Sequence, residues 1–318
     1  MSTAAIKPST GAEEESLEPF LGRGSIALIS AIVSPVMLIL LFAAAALMQE
    51  ASVTGTPLGS PGGQLGMLVG AILIIGLAHT AMWSTIGIII STVWAGFFAV
   101  LLLMRALVAG VPANSLEALL CWEQLPLQAF VILLTALIST RSQRRRRRES
   151  EPVDNAGVVE VSALGTVAFM FALSLVFLVL ASAPSTITPI IMNDPSLTTR
   201  PRGEDWLIIL IISCILSALT WLATKSVIVV QLAAWLVMLI PGMFIVPLIS
   251  TLAGVVATPQ DPQMLAISYS MPVIGVYGLM IVTATYAIAL MNRIEPLPEE
   301  PSVDEASADE AYAEEPLG

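Results

Sequence analysis

The sequence predicts an all-α polytopic transmembrane helical bundle of about eight spans, and three observations carry that prediction. Of 318 residues, 56% are hydrophobic and 12% charged, with a mean hydropathy of +0.88, whereas soluble globular domains carry about 25% charged residues. The apolar residues gather in long runs, and a helix needs about 20 such residues to cross a hydrocarbon core of about 30 Å with its backbone groups satisfied internally. Lys and Arg collect at alternate ends of those runs. Composition alone therefore excludes a water-soluble fold.

The runs read as spans from Ser25 to Met48, Leu65 to Ser84, Ile86 to Ala109, Ala118 to Thr140, Val161 to Ser182, Trp206 to Ala223, Ser226 to Ser250 and Leu265 to Met291. The first is longer than the 7 to 15 apolar residues or so of a secretory signal and follows Glu13, Glu14, Glu15 and Glu18, so it reads as a retained span. The second and third form one apolar run too long for a single crossing, which places a turn at Trp83, Ser84 and Thr85. Thr224, Lys225 and Ser226 mark a similar turn between the sixth and seventh. Trp122 and Trp206 fit the outer interface, and Trp83 and Trp221 the inner one. Cys121 and Cys214 fall at different depths, and they read as buried apolar thiols rather than a disulfide.

Cytoplasmic loops carry the excess of Lys and Arg. With the loop holding Arg141 and Arg144 to Arg148 inside, Lys7, Arg23, Lys225 and Arg293 fall inside as well, and only Arg105, Arg200 and Arg202 lie outside. The resulting organisation is a cytoplasmic tail (1–24, expected to be disordered), a first membrane half (25–140), a cytoplasmic Arg-rich loop (141–160), a second membrane half (161–291) and an acidic cytoplasmic tail (292–318). That tail holds nine carboxylates and few apolar residues, the composition of a disordered segment. The expected location is a plasma membrane, and the excess of Arg over Lys points to a bacterial source.

The two halves share a layout: one span, an outer loop, a tight hairpin of two spans, a short outer loop and a final span. An offset of 141 places Trp94 on Trp235, and Pro126 and Pro272 both fall early in the closing spans. A parallel duplication of four spans accounts for that layout.

Ionisable and helix-breaking residues inside a bilayer are site candidates by default. His79, the single histidine, lies toward the inner end of the second span, and Glu123 stands at the outer entrance of the fourth beside the kink expected at Pro126. Pro241 and Gly242 are expected to break the seventh span, as in transporters whose free backbone groups hold a substrate or ion, and Gln231 lies in the inner half of the same span. These five residues are the substrate or ion-binding candidates. Arg141, Arg144, Arg145, Arg146, Arg147 and Arg148 are candidates for contact with anionic lipid, at about 1 kcal/mol each near a charged surface.

No catalytic residue, metal site or cofactor is expected, because one histidine and two scattered cysteines build no zinc, iron or haem centre. A loop tethered to the membrane and lacking aromatic residues argues against nucleic acid as a partner. Expected partners are membrane lipids, other membrane proteins or a second copy of the chain. The pattern favours a transporter or the membrane part of one, with a lipophilic substrate fitting so apolar a path; the alternative is a non-catalytic accessory or scaffold subunit.

Overall fold

A long apolar segment in hydrocarbon can satisfy its amides only by bonding them along its own axis. The computed structural model is accordingly helical through the stretches it describes, residues 23–53, 60–82, 84–107, 125–148, 158–192, 203–252 and 262–293. The helices, in chain order, are α1 (Arg23–Val53), α2 (Pro61–His79), α3 (Ile86–Leu107), α4 (Leu125–Arg148), α5 (Val158–Met192), α6 (Gly203–Leu222), α7 (227–252) and α8 (Pro262–Arg293). Six contain a segment long and apolar enough to cross a membrane; the apolar parts of α3 and α6, Ile86–Leu101 and Leu207–Leu222, are shorter. The chain is a helical bundle built for a membrane.

Local chemistry sets the helix ends. Pro61 opens α2, and the Ser60 hydroxyl accepts from the Gly63 amide, so two features of an N-terminal cap coincide. The hairpin joining α2 to α3 passes through a 3₁₀ turn at Thr80–Met82, after which Ser84 Oγ accepts from the Ile86 amide. Between α6 and α7 the turn is tighter, with the amides of Lys225 and Ser226 both bonding to the Leu222 carbonyl.

Two local expectations are corrected; the kink expected at Pro126 concerns the junction with residues 108–124, which lie outside the described residues. Pro241 and Gly242 do not interrupt α7. Its backbone widens into π-helical stretches over Ala234–Leu239 and Pro241–Ile245, in which Ile240 bonds to Trp235 and Val246 to Pro241, five residues back. The wider turn carries the prolines without breaking the rod. Cys214 is exposed on the outer face of α6, the side that also presents Leu207, Leu210, Ile211 and Trp221, rather than packed among helices.

The bundle is organised around its last helix. In the apolar stretch of α8, 83% of residues are buried, against 22–50% in the other five long stretches. Helices α1, α2, α4, α5 and α7 all pack on α8, whose buried residues include Ile274, Tyr277, Ile281 and Ile288. The outer helices turn large apolar side chains away from the bundle, among them Leu28, Ile72, Phe97, Phe177 and Leu252. That much exposed apolar surface suits lipid, where burial of apolar groups in water gives no drive to assembly and close packing must hold helices together.

The closest packing is backbone on backbone between α7 and α8. A Cβ at Gly242 would stand 2.6 Å from the Met271 carbonyl oxygen and 2.9 Å from the Gly275 Cα, and one at Gly278 would stand 2.8 Å from the Leu239 amide nitrogen. Gly242 and Gly278 therefore permit a crossing that a side chain at either would force apart, whereas a Cβ at Gly275 would meet the side chain of Met243.

The pairings also fix directions. α1 runs against α8, since Gln49 Nε2 donates to the Tyr269 carbonyl near the start of α8 while Met37 lies beside Ala284. α1 and α3 run in the same direction, with Ser34 bonded to Ser91 and Ser30 facing Gly87. α4 runs against α3, because Phe130 meets Gly96 and Ala136 lies level with Gly87. The beginning of α1 and the ends of α4 and α8 consequently share one end of the bundle.

The glycine crossing generates a paired expectation. Gly242→Ala lowers stability by about 2 kcal/mol through overpacking, whereas Gly76→Ala, where an added Cβ meets nothing within 4 Å, is neutral or stabilising. Thermal unfolding of both variants in the same detergent measures the contrast.

Candidate functional site

Among the described residues, His79 and Gly242 meet different parts of α8. His79 ends α2 and is exposed, with Nδ1 3.2 Å from the Tyr286 hydroxyl and its ring stacked on that of Tyr286, centroids 6.4 Å apart. Gly242 lies against Met271 and Gly275 instead. Those two places on α8 are separated by about 20 Å of helix at 1.5 Å per residue. Gln231 is half-buried in the first turns of α7, and Glu123 lies outside the described residues. Of the arginines, Arg141 is exposed, and α4 continues as helix through Arg148.

Polar groups do meet at two other places. Where α1, α2, α3, α4 and α8 come together, a cavity of about 30 Å³ is lined by Met37, Leu77, Gly87, Ser91, Thr283 and Ala284, among others. That is room for one or two water molecules. Ser91 Oγ is 2.8 Å from Ser34 Oγ and donates to the Gly87 carbonyl, and the Ser30 hydroxyl, fully buried, abuts Gly87 without a protein partner among the described residues. Ser30, Ser34 and Met37 recur at the spacing of one helix face, so α1 presents its hydroxyls on the side that carries the cavity wall. The site can hold water between helices, with the Ser30 and Ser91 hydroxyls beside it.

The second place joins α4 to α6. Gln128 is completely buried; its Nε2 donates to the Ile209 carbonyl at 3.2 Å and its Oε1 accepts from Ser213 Oγ at 3.0 Å. One turn to two turns further along, Thr135 and Ser217 hydroxyls lie 3.0 Å apart. Side-chain bonds of this kind between membrane helices contribute roughly 0.6 kcal/mol each. Thr92 makes no such bridge and donates to its own Ile88 carbonyl.

Sequence reasoning did not single out Gln128, Ser30, Ser34 or Tyr277. The available signal was polar residues inside apolar runs, which marks cost but not direction. Tyr277 shows the difficulty: it is wholly buried in the middle of α8, and its hydroxyl has no partner among the described residues. An unpaired buried hydroxyl costs about 1–3 kcal/mol.

With this geometry in hand, the chain was compared with known proteins: it matches no family model, no curated protein and no solved structure.

Two substitutions probe these polar groups. Tyr277→Phe keeps the ring and removes the unpaired hydroxyl, so it leaves stability unchanged or raises it by up to about 1 kcal/mol; a loss in a thermal melt reveals a bound partner for that hydroxyl. Gln128→Ala removes both bonds and leaves a void, lowering stability by roughly 2 kcal/mol, and Gln128→Leu recovers most of that because Ser213 still donates to Ile209. Reversible unfolding of both variants in micelles tests the order.

Proposed function

We propose that this chain is a non-catalytic accessory or scaffold subunit of a membrane protein assembly. The observation that carries the reading is the position of α8. A carrier that rocks two halves about a midplane site needs a polar, openable path between them, and here a helix buried on all sides occupies the place where the halves meet. Among the described candidates, His79 and the Pro241–Gly242 pair meet α8 at separate places. What the bundle offers instead is a packed body with a broad apolar exterior.

We further infer eight crossings, with both ends of the chain in the cytoplasm of a bacterial plasma membrane. The full helices α3 and α6, 22 and 20 residues long, measure about 33 and 30 Å, which suffices for a bilayer core. The arginine asymmetry supplies the orientation. A duplication of four helices is supported by how the helices pair. α1 packs on α2 and α3, and α3 on α4; in the same way α5 packs on α6 and α7, and α7 on α8. The cross-pairs α2 with α8 and α6 with α4 also exchange under the duplication. The symmetry is broken by α8, which alone among the closing helices packs extensively on the first helix of both halves.

A second reading, movement of a lipophilic substrate, draws on the π-helical part of α7. π turns leave backbone groups in altered register and recur at functional sites, and this one faces α8 on one side while Phe244 and Ile245 are exposed on the other.

Purification from the native membrane in mild detergent is expected to yield a partner membrane protein in stoichiometric amount. Isolation of the chain alone, together with scrambling of a fluorescent phospholipid by liposomes holding only this protein, favours the second reading and overturns the first. For topology, reporters fused at residue 152 and after Gly318 are expected on the cytoplasmic side, and reporters at residues 112 and 196 on the opposite side.

A further inference from the structure

Helix α4 does not stop where its apolar part stops. Its membrane segment is Leu125–Ser142, and the helix continues to Arg148. Within that continuation Arg141, Arg144, Arg145 and Arg148 recur at the spacing of one helical face, and Arg146 and Arg147 flank them. Six positive charges thus stand on a single rod at the bundle's end, and Arg141 is exposed.

The same end holds the terminus of α8. Leu137 and Ala287 belong to one small apolar cluster with Ala78, Ala81 and Ile88, and α4 and α8 run in the same direction. From that level Arg148 is about 16 Å further along α4, and Arg293 about 9 Å further along α8. Packed helices lie about 8–10 Å apart. The chain leaving Arg293 therefore starts beside the arginine rod, level with its first turns.

The 25 residues after Arg293 carry nine carboxylates, Glu295, Glu299, Glu300, Asp304, Glu305, Asp309, Glu310, Glu314 and Glu315, and no Lys or Arg. A flexible chain of that length has a root-mean-square reach of about 25–30 Å, more than the gap to the rod. We propose that the acidic segment 294–318 docks on the Arg141–Arg148 face of α4 as an intramolecular ligand, covering the surface that would otherwise take anionic lipid headgroups. Charge complementarity, reach and the shared end of α4 and α8 select this occupant. The acidic residues before α1, Glu13 to Glu15 and Glu18, precede a helix that begins at the same end, but carry fewer than half as many charges. Arginine forks bind carboxylates in pairs, so the tail and a lipid surface compete for the same groups. The inference does not depend on the accessory reading and holds for either orientation in the membrane.

The test uses the full chain with Cys121 and Cys214 changed to Ser and spin labels on S142C and S307C, in nanodiscs of phosphatidylcholine. Pulsed electron resonance at low salt is expected to give a label–label distribution about twofold narrower than that of a chain with the nine tail carboxylates changed to Gln or Asn, for which a free tether applies. The narrow population is expected to vanish at about 1 M salt, where the screening length falls to about 3 Å, and also on changing Arg144 to Arg148 to Gln. Equal distributions for the native and neutralised tails at low salt overturn the proposal. So does a narrow distribution that survives tail neutralisation but is lost when Glu13, Glu14, Glu15 and Glu18 become Gln. Unchanged melting of each variant establishes that the bundle itself is intact.

Discussion

The rest of the bundle depends on the backbone contact between α7 and α8. In lipid no hydrophobic drive brings helices together, so dispersion at close range and a few hydrogen bonds must do it. Gly242, Gly275 and Gly278 bring two main chains into contact, and the π-helical turns of α7 let it follow α8 despite Pro241. With α7 seated, α8 is buried along its length, and α1, α2, α4 and α5 close around it.

A central helix constrains what the bundle can do. Every residue of α8 from Ser268 to Ile281 is buried, which leaves no continuous polar lining along it. Its polar groups instead face protein: Thr283 donates to the carbonyls of Leu279 and Met280, and the Tyr269 carbonyl takes Gln49. Around the small cavity near the α4 and α8 C-termini, the hydroxyls of α1 and α3 bond mostly to each other and to nearby carbonyls. This is polar chemistry used to orient helices. The chemistry exposed on the described surface is an apolar exterior, with Arg141 exposed near the end of α4.

Some of this was readable from residues alone. The positions of the helices, the two tight hairpins and the arginine-rich end of α4 follow from local rules: an amide in hydrocarbon must bond within its own helix, and Ser, Thr and Pro mark where that stops. The expected break at Pro241 did not appear, since a proline's effect depends on where it falls in the hydrogen-bond ladder, and Pro241 fell in a π register that absorbs it. Cys214 pointed outward for a related reason, because an apolar thiol is as acceptable to lipid as to a helix interface.

The sequence by itself therefore determined that this chain is a membrane bundle and where its helices run, because those depend on apolar length and backbone bonding along one segment. Only the tertiary structure decided that α8 is the axis, that Gln128 reaches α6, and that His79 and Gly242 meet α8 at separate places. Lipid tails and neighbouring helices are almost equally apolar, so hydropathy does not tell a lipid-facing helix from a buried one. A trace of the answer was present: α8 carries Ser268, Ser270, Gly275, Gly278, Thr283 and Thr285 on several faces, where a helix such as α5 between Val161 and Ser182 shows long exposed apolar residues. Only a helix surrounded by others can place small and polar groups all round, and that environment exists once the bundle has formed.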